Sequence, residues 1–153
     1  MPMTAAALTE TLRPLAEQLQ ETALDDPKAA CEAIEAKIPF LGELIVSIRE
    51  AALEGSKAGW LHPREAGDVR FGRVAKDLCG FSVDAVLMDG PGPKHRHPKG
   101  EIDLCFATEG QATFDGLPEG WVVYGPDSVH IPTVKDGQML ILYFLPGGAM
   151  EFL

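Results

Sequence analysis

The spacing of hydrophobic positions changes partway along the chain. Leu8, Leu12, Leu15, Ala16 and Leu19 recur every three or four residues and predict an amphipathic helix over about residues 4–22. Pro14 falls inside that span, where it has no N–H to give to the preceding turn, so a kink or a later start is expected. Asp25-Asp26-Pro27 joins an acidic N-cap to a proline in the first turn and predicts a second helix running to about Lys37. Pro39 ends it. Leu41, Leu44, Ile45, Ile48 and Ala52 mark a third helix, expected to stop near Gly55. After Gly59 glycine and proline recur every few residues, and the runs between them are short and rich in aromatic and β-branched residues. These runs predict strands over 68–74, 81–88, 101–108, 111–114, 121–124, 128–133 and 138–145. Many short strands at such spacing point to a sandwich or barrel. Asp115-Gly116 carries the turn chemistry of a tight hairpin.

The chain therefore divides into a helical segment over 1–57 and a β unit over 58–153. Three short helices with apolar stripes are marginal alone, so they are expected to pack on the β unit or to mediate a homodimer or larger assembly. At 153 residues and 46% hydrophobic content, one core can form without disulfides or a structural metal. A bound metal would then serve chemistry. The net charge of −10 repels phosphate backbones and argues against nucleic-acid binding. There is no 18-residue apolar run and no basic-then-apolar leader, so neither a membrane span nor a secretory signal is expected. Cys31, Cys79 and Cys105 are odd in number and far apart, the pattern of free thiols in a reducing cytoplasm.

The candidate chemistry lies in the histidines. Of four, two share the tripeptide His95-Arg96-His97. On an extended strand residues i and i+2 point to one face, so both imidazoles project together. Pro98-Lys99-Gly100 turns the chain and returns Glu101 toward the same side. Two imidazole nitrogens and a carboxylate form a facial ligand set that leaves positions open for water or substrate. His130, in a β-like run after the Gly125-Pro126-Asp127 turn, supplies a fourth donor. Divalent iron, manganese, zinc and nickel all suit three histidines and one glutamate. His62, before the strands, is expected at the surface or in a substrate pocket.

The stretch from Gly90 through His95, His97 and Glu101 to Gly110 resembles the first motif of the cupin superfamily, and Gly125–His130 resembles its second. Gly90 lies one residue closer to His95 than the motif has it, and Gly110 lies further from Glu101. Asp127 stands where the second motif has glycine, and Val134 where it often has asparagine. The resemblance covers about residues 60–150. It implies a mainly β jelly-roll barrel with an N-terminal helical segment and one divalent metal inside, held by His95, His97, Glu101 and His130.

Longer runs narrow the likeness. Residues 80–90, 100–110, 118–125 and 143–152, with the helical segment, are similar to the bacterial 4-hydroxylaminobenzoate lyases of nitroaromatic breakdown. That family converts 4-hydroxylaminobenzoate to 3,4-dihydroxybenzoate (protocatechuate) with release of ammonia. The resemblance implies a small aromatic carboxylate as substrate, and hence a cation near the pocket. Arg70 and Arg73 lie on the first barrel strand, where one can point inward, and are the expected partners, with Arg64, Arg96 and Lys94 as alternatives, because a guanidinium grips a carboxylate with two hydrogen bonds. Tyr143 and Trp121 are further candidates for the substrate contact. Strand alternation puts Asp103 on the face of Glu101, and Asp103 and Tyr124 are the expected acid–base groups. No GxGxxG between strand and helix and no phosphate loop occurs, consistent with chemistry that needs no nucleotide. The competing readings are a metal-dependent cupin dioxygenase on an aromatic acid, a non-catalytic cupin that binds a small acid, and a sugar isomerase or epimerase.

Overall fold

A computed structural model describes residues 3–153. Helix α1 spans Ala5–Leu19, with the Thr4 hydroxyl accepting the Ala7 N–H at 3.1 Å, and it continues through Pro14. Its five periodic apolar residues are all fully buried. Helix α2 spans Pro27–Lys37, capped by the Asp26 carboxylate on the Ala29 N–H. Helix α3 spans Glu43–Ala58 and passes straight through Gly55, where the sequence predicts its end. A Cβ at Gly55 would sit 2.7 Å from the Trp60 ring, so this glycine serves a close contact. The helix stops at Gly59, which takes the left-handed conformation (φ 87°) of a C-terminal cap.

Nine strands follow: β1 (Arg64–Ala66), β2 (Val69–Leu78), β3 (Phe81–Met88), β4 (His95–His97), β5 (Glu101–Phe114), β6 (Gly120–Tyr124), β7 (Ser128–His130), β8 (Val134–Pro146) and β9 (Glu151–Phe152). A six-stranded sheet runs β1-β2-β3-β8-β5-β6 and a three-stranded sheet runs β7-β4-β9, antiparallel throughout. β3 lies beside β8, and β4 lies between β7 and β9. The chain therefore crosses repeatedly from one sheet to the other, as a jelly roll does. The fold is a mainly β cupin barrel with N-terminal helices.

Residues 101–108 and 111–114, predicted as separate strands, are one strand with two breaks in register. Gly110 lies between those breaks at φ 66°, and a Cβ there would meet the Asp136 carbonyl at 2.6 Å. Asp115 and Gly116 do close a two-residue turn. Both have positive φ (50° and 84°), and Phe114 and Leu117 exchange backbone hydrogen bonds across it.

Strand alternation gives the large sheet two apolar faces. Val83, Ala85, Ile102, Leu104, Phe106, Leu140, Leu142 and Phe144 pack in one cluster with the buried faces of the helices. Val69, Val86, Met88, Cys105, Met139 and Ile141 form the inner face of the barrel. His62 belongs to neither a surface nor a pocket, contrary to the sequence-based expectation. It is 5% exposed, and its Nε2 lies 2.7 Å from the Ser56 hydroxyl on α3. Burial holds its pKa below the usual imidazole value. Among the described residues, no helix is long and apolar enough to cross a membrane.

Candidate metal centre

The inner histidines meet because of β register. His95 and His97 alternate onto one face of β4, and His130 on β7 is the direct cross-strand partner of His95. Glu101 opens β5 after a turn at Gly100 (φ 87°), where the Gly100 N–H donates to the His97 carbonyl. The Nε2 atoms of His95 and His97 lie 2.7 Å apart, those of His130 and His95 3.1 Å, and His97 Nε2 lies 3.2 Å from Glu101 Oε2. One donor atom from each of the four residues falls within 4.8 Å of all the others. His95, His97 and Glu101 are buried.

The far side of each ring tests whether this set fits a cation. His95 Nδ1 faces the Pro93 carbonyl at 2.9 Å, and a carbonyl can only accept. His130 Nδ1 faces the Asp115 carboxylate at 2.7 Å, and His97 Nδ1 faces the Ser128 hydroxyl at 3.0 Å. The Pro93 carbonyl and the Asp115 carboxylate hold the proton on Nδ1 of His95 and His130, and the Ser128 hydroxyl can accept one from His97, so each Nε2 can turn a lone pair toward the same point. Three lone pairs and a carboxylate converging at such distances repel one another unless an electrophile lies between them. Outward Nδ1–H anchors of this kind are what metal-bound imidazoles carry. The donor set suits a divalent first-row ion, and the cluster can hold one.

A cavity of about 220 Å³ opens beside the cluster. His95, His130 and Glu101 form part of its wall, with Asp103 and Tyr143, and the rest is apolar, including Phe71, Val86, Phe114 and Ile141. Ala66, Pro93 and Phe152, all exposed, mark its mouth. Asp103 is 1% exposed, and its Oδ2 has no hydrogen-bond partner. Burial, and then the charge of Glu101 beside it, push its carboxyl well above the ordinary aspartate range. Burial and the neighbouring carboxylates likewise raise Tyr143, so its phenol stays protonated.

Several expected residues lie elsewhere. Arg73 alternates onto the side of cavity-lining Val69 and Phe71, but its side chain is exposed, pairs with Asp84 at 2.7 Å and stays outside the cavity wall. Burial pushes the Asp84 carboxyl up, and the Arg73 hydrogen bond opposes that shift. Arg70 alternates away from cavity-lining Val69 and Phe71 and is exposed. Trp121 pairs with outward-facing Leu104, and its indole N–H donates to the Ile38 carbonyl at 3.0 Å, on the helix side of the sheet. Tyr124 gives its hydroxyl to Asp115 and packs tilted against His130, with centroids 4.3 Å apart and ring planes at 43°, off the cavity wall. Among the described residues no lysine or arginine lines the cavity. Arg96 points outward to Asp127 and Glu151. Asp127 adopts φ 65°, which accounts for glycine at that motif position; aspartate is among the residues that tolerate it.

Asp115 is the residue the sequence did not offer as a site group. Its carboxylate accepts from His130, from Tyr124 and from the Thr133 N–H. Burial pushes its pKa up, but those donors outweigh it and leave the group below its usual value.

Fold and donors together define a cupin barrel with a three-histidine, one-glutamate candidate metal centre on the wall of an apolar cavity. Sequence comparison narrows the class. The profile of the PnbB family, described as 4-hydroxylaminobenzoate lyase, matches residues 10–152, and the chain belongs to that family. It is 28% identical over 158 residues to a 4-hydroxylaminobenzoate lyase of Nocardioides sp. (strain LMS-CY), covering 79% of this chain and 93% of that one. It is 27% identical over 133 residues to a protein of the same name from Pseudomonas putida, covering 72% and 74%. Among solved structures, a cupin-like protein from Thermotoga maritima aligns over 57% of this chain and 77% of that one, with 20% identity and a TM-score of 0.42.

Proposed function

We propose that the chain is a cytoplasmic metal-dependent lyase that converts 4-hydroxylaminobenzoate to 3,4-dihydroxybenzoate and ammonia. The observation that carries this reading is the convergence of three imidazole Nε2 atoms and one carboxylate on the wall of a ring-sized apolar cavity. Family membership supplies the substrate class. The reaction adds water and loses ammonia with no net transfer of electrons, so it needs neither dioxygen nor a nicotinamide.

His95, His97, Glu101 and His130 hold the ion. When bound, it supplies Lewis acidity at the hydroxylamino oxygen, or a water of lowered pKa. An apolar cavity of about 150 Å³ takes a benzene molecule, so the 220 Å³ here suits one substituted ring. Phe71, Val86, Phe114 and Ile141 clasp that ring and keep bulk water from it. Asp103 holds its proton against the cavity and gives it to the departing nitrogen, and Tyr143 offers a hydroxyl hydrogen bond alongside. With carboxyl groups at the inner end and no lysine or arginine among the described residues on the wall, the substrate carboxylate faces the mouth.

The test is anaerobic incubation of metal-loaded protein with 4-hydroxylaminobenzoate. Formation of protocatechuate and ammonia in equal amounts is expected. Unchanged substrate, or turnover that requires oxygen, removes the assignment.

A further inference from the structure

We infer that Asp115 is the positioning residue of this centre: its carboxylate fixes the tautomer and the aim of His130. The inference rests on the metal-binding reading above. Three donors surround the carboxylate. Oδ2 takes His130 Nδ1 at 2.7 Å and the Tyr124 hydroxyl, and Oδ1 takes the Thr133 N–H at 2.8 Å. An ionised carboxylate only accepts. Facing it, His130 must carry its proton on Nδ1, which leaves the Nε2 lone pair free toward His95, 3.1 Å away.

The other two anchors differ in kind. His95 leans on a backbone carbonyl and His97 on a neutral hydroxyl. Of the three Nδ1 anchors, Asp115 is therefore the charged one. It also braces His130 from behind through Tyr124, whose ring packs on both His130 and His97. His130 is less buried than His95 and His97, so it is the donor that most depends on such a brace.

The position explains the choice of residue. Asp115 sits first in a turn whose two central residues both need positive φ, a site that asparagine and aspartate fill best. Asparagine would keep the turn while losing the symmetry of the carboxylate. An amide has one oxygen. If that oxygen stays on the Thr133 N–H, the amide NH2 faces His130 and drives its proton to Nε2, closing the lone pair that would bind metal.

The experiment compares wild type with Asp115→Asn and Tyr124→Phe by calorimetric Zn2+ titration and by the visible spectrum of bound Co2+. Far-ultraviolet circular dichroism checks the fold. Asp115→Asn should bind Zn2+ about 10–100-fold more weakly and shift the Co2+ bands, while Tyr124→Phe, which keeps the carboxylate and loses only the hydroxyl bond to it, falls between Asp115→Asn and wild type. Wild-type affinity and an unchanged Co2+ spectrum in Asp115→Asn would overturn the inference. If the variant does not fold, 15N chemical shifts of the Zn2+-loaded wild type decide it, with a proton on His130 Nδ1 expected and one on Nε2 refuting it. A wild-type protein that takes up neither ion sinks this inference and the lyase reading together; uptake undisturbed by the variant sinks only this one.

Discussion

Replacing Asp103 by asparagine should make the metal-free protein more heat-stable at neutral pH while removing most of its turnover. In the folded chain the Asp103 carboxyl is 1% exposed, has an unpartnered Oδ2 and lies beside Glu101. Burial raises its folded pKa above the unfolded value of about 3.9. As pH climbs past that value the unfolded chain releases this proton and the folded chain keeps it. The native state then binds more protons, so stability falls with rising pH until the folded pKa is passed. An asparagine amide offers Glu101 an N–H at every pH and needs no proton for it. An unsatisfied buried polar group costs about 1–3 kcal/mol. In a domain of this size 1 kcal/mol moves Tm by roughly 2–4 °C. A gain of about 2–12 °C at pH 8, shrinking toward zero near pH 4, is therefore expected in calorimetric scans with a chelator present. Losing the proton carrier should cut kcat by about 10²–10⁴-fold in the metal-loaded enzyme. Parallel Tm–pH curves for wild type and variant between pH 4 and 8 would refute the reasoning, because they would mean Asp103 titrates alike in both states.

Two further outcomes follow from the same geometry. His97→Ala should weaken Zn2+ binding beyond the roughly 10–100-fold that an outer partner costs and abolish turnover. Its circular dichroism should match wild type, because both apolar clusters persist without the ring; global unfolding in this variant would show the site to be structural. The buried His62 keeps its proton less readily than an unfolded histidine. Its contribution to stability is thus complete above about pH 6.5 and is lost as pH falls below that, and His62→Gln should flatten this part of the Tm–pH curve.

The donors were legible because their placement needs only local geometry. A strand's period of two aligns His95 with His97, and a four-residue step through a glycine turn returns Glu101. His130 needed one more element, a β run of its own, and register then put it opposite His95. Trp121 and Arg70 were not legible for the complementary reason. Which face of a strand looks inward depends on pairing with distant strands, and only the match of Trp121 to Leu104 assigns it to the helix side. Strands β1 and β9, three and two residues long, exist through pairing with β2 and β4 and leave no periodic trace. Asp115 was hidden by its own turn signal. Asp-Gly explains itself as a hairpin, and nothing in the sequence says that the same carboxylate meets a ring fifteen residues on.

Charge inside the barrel argues for the direction in which an aromatic acid enters. Glu101 and Asp103 line the cavity, Asp84 faces the same interior, and no lysine or arginine among the described residues lines the wall. Asp103 keeps its proton and Asp84 is paired with Arg73, so the opposing charge is the Glu101 carboxylate. A second carboxylate driven to within about 4 Å of it at an effective dielectric of 20 meets roughly 4 kcal/mol of repulsion, close to three orders of magnitude in binding. A divalent ion on the four donors reverses that balance at the inner end, but its open positions are then claimed by the group that reacts. The para arrangement reconciles these demands, since it separates the two substituents by the length of the ring. With the hydroxylamino group at the histidines, the carboxylate of the proposed substrate would point toward the exposed rim of Ala66, Pro93 and Phe152. The ortho isomer cannot do this. Its carboxylate would lie beside Glu101 whenever its nitrogen is correctly placed. Measured as kcat/KM, 2-hydroxylaminobenzoate should therefore fall below the para compound, because its carboxylate competes for those open positions, and methyl esterification should recover much of that loss. Comparable values for the two free acids would mean that the carboxylate finds a cation inside the barrel, and that the substrate enters the other way round.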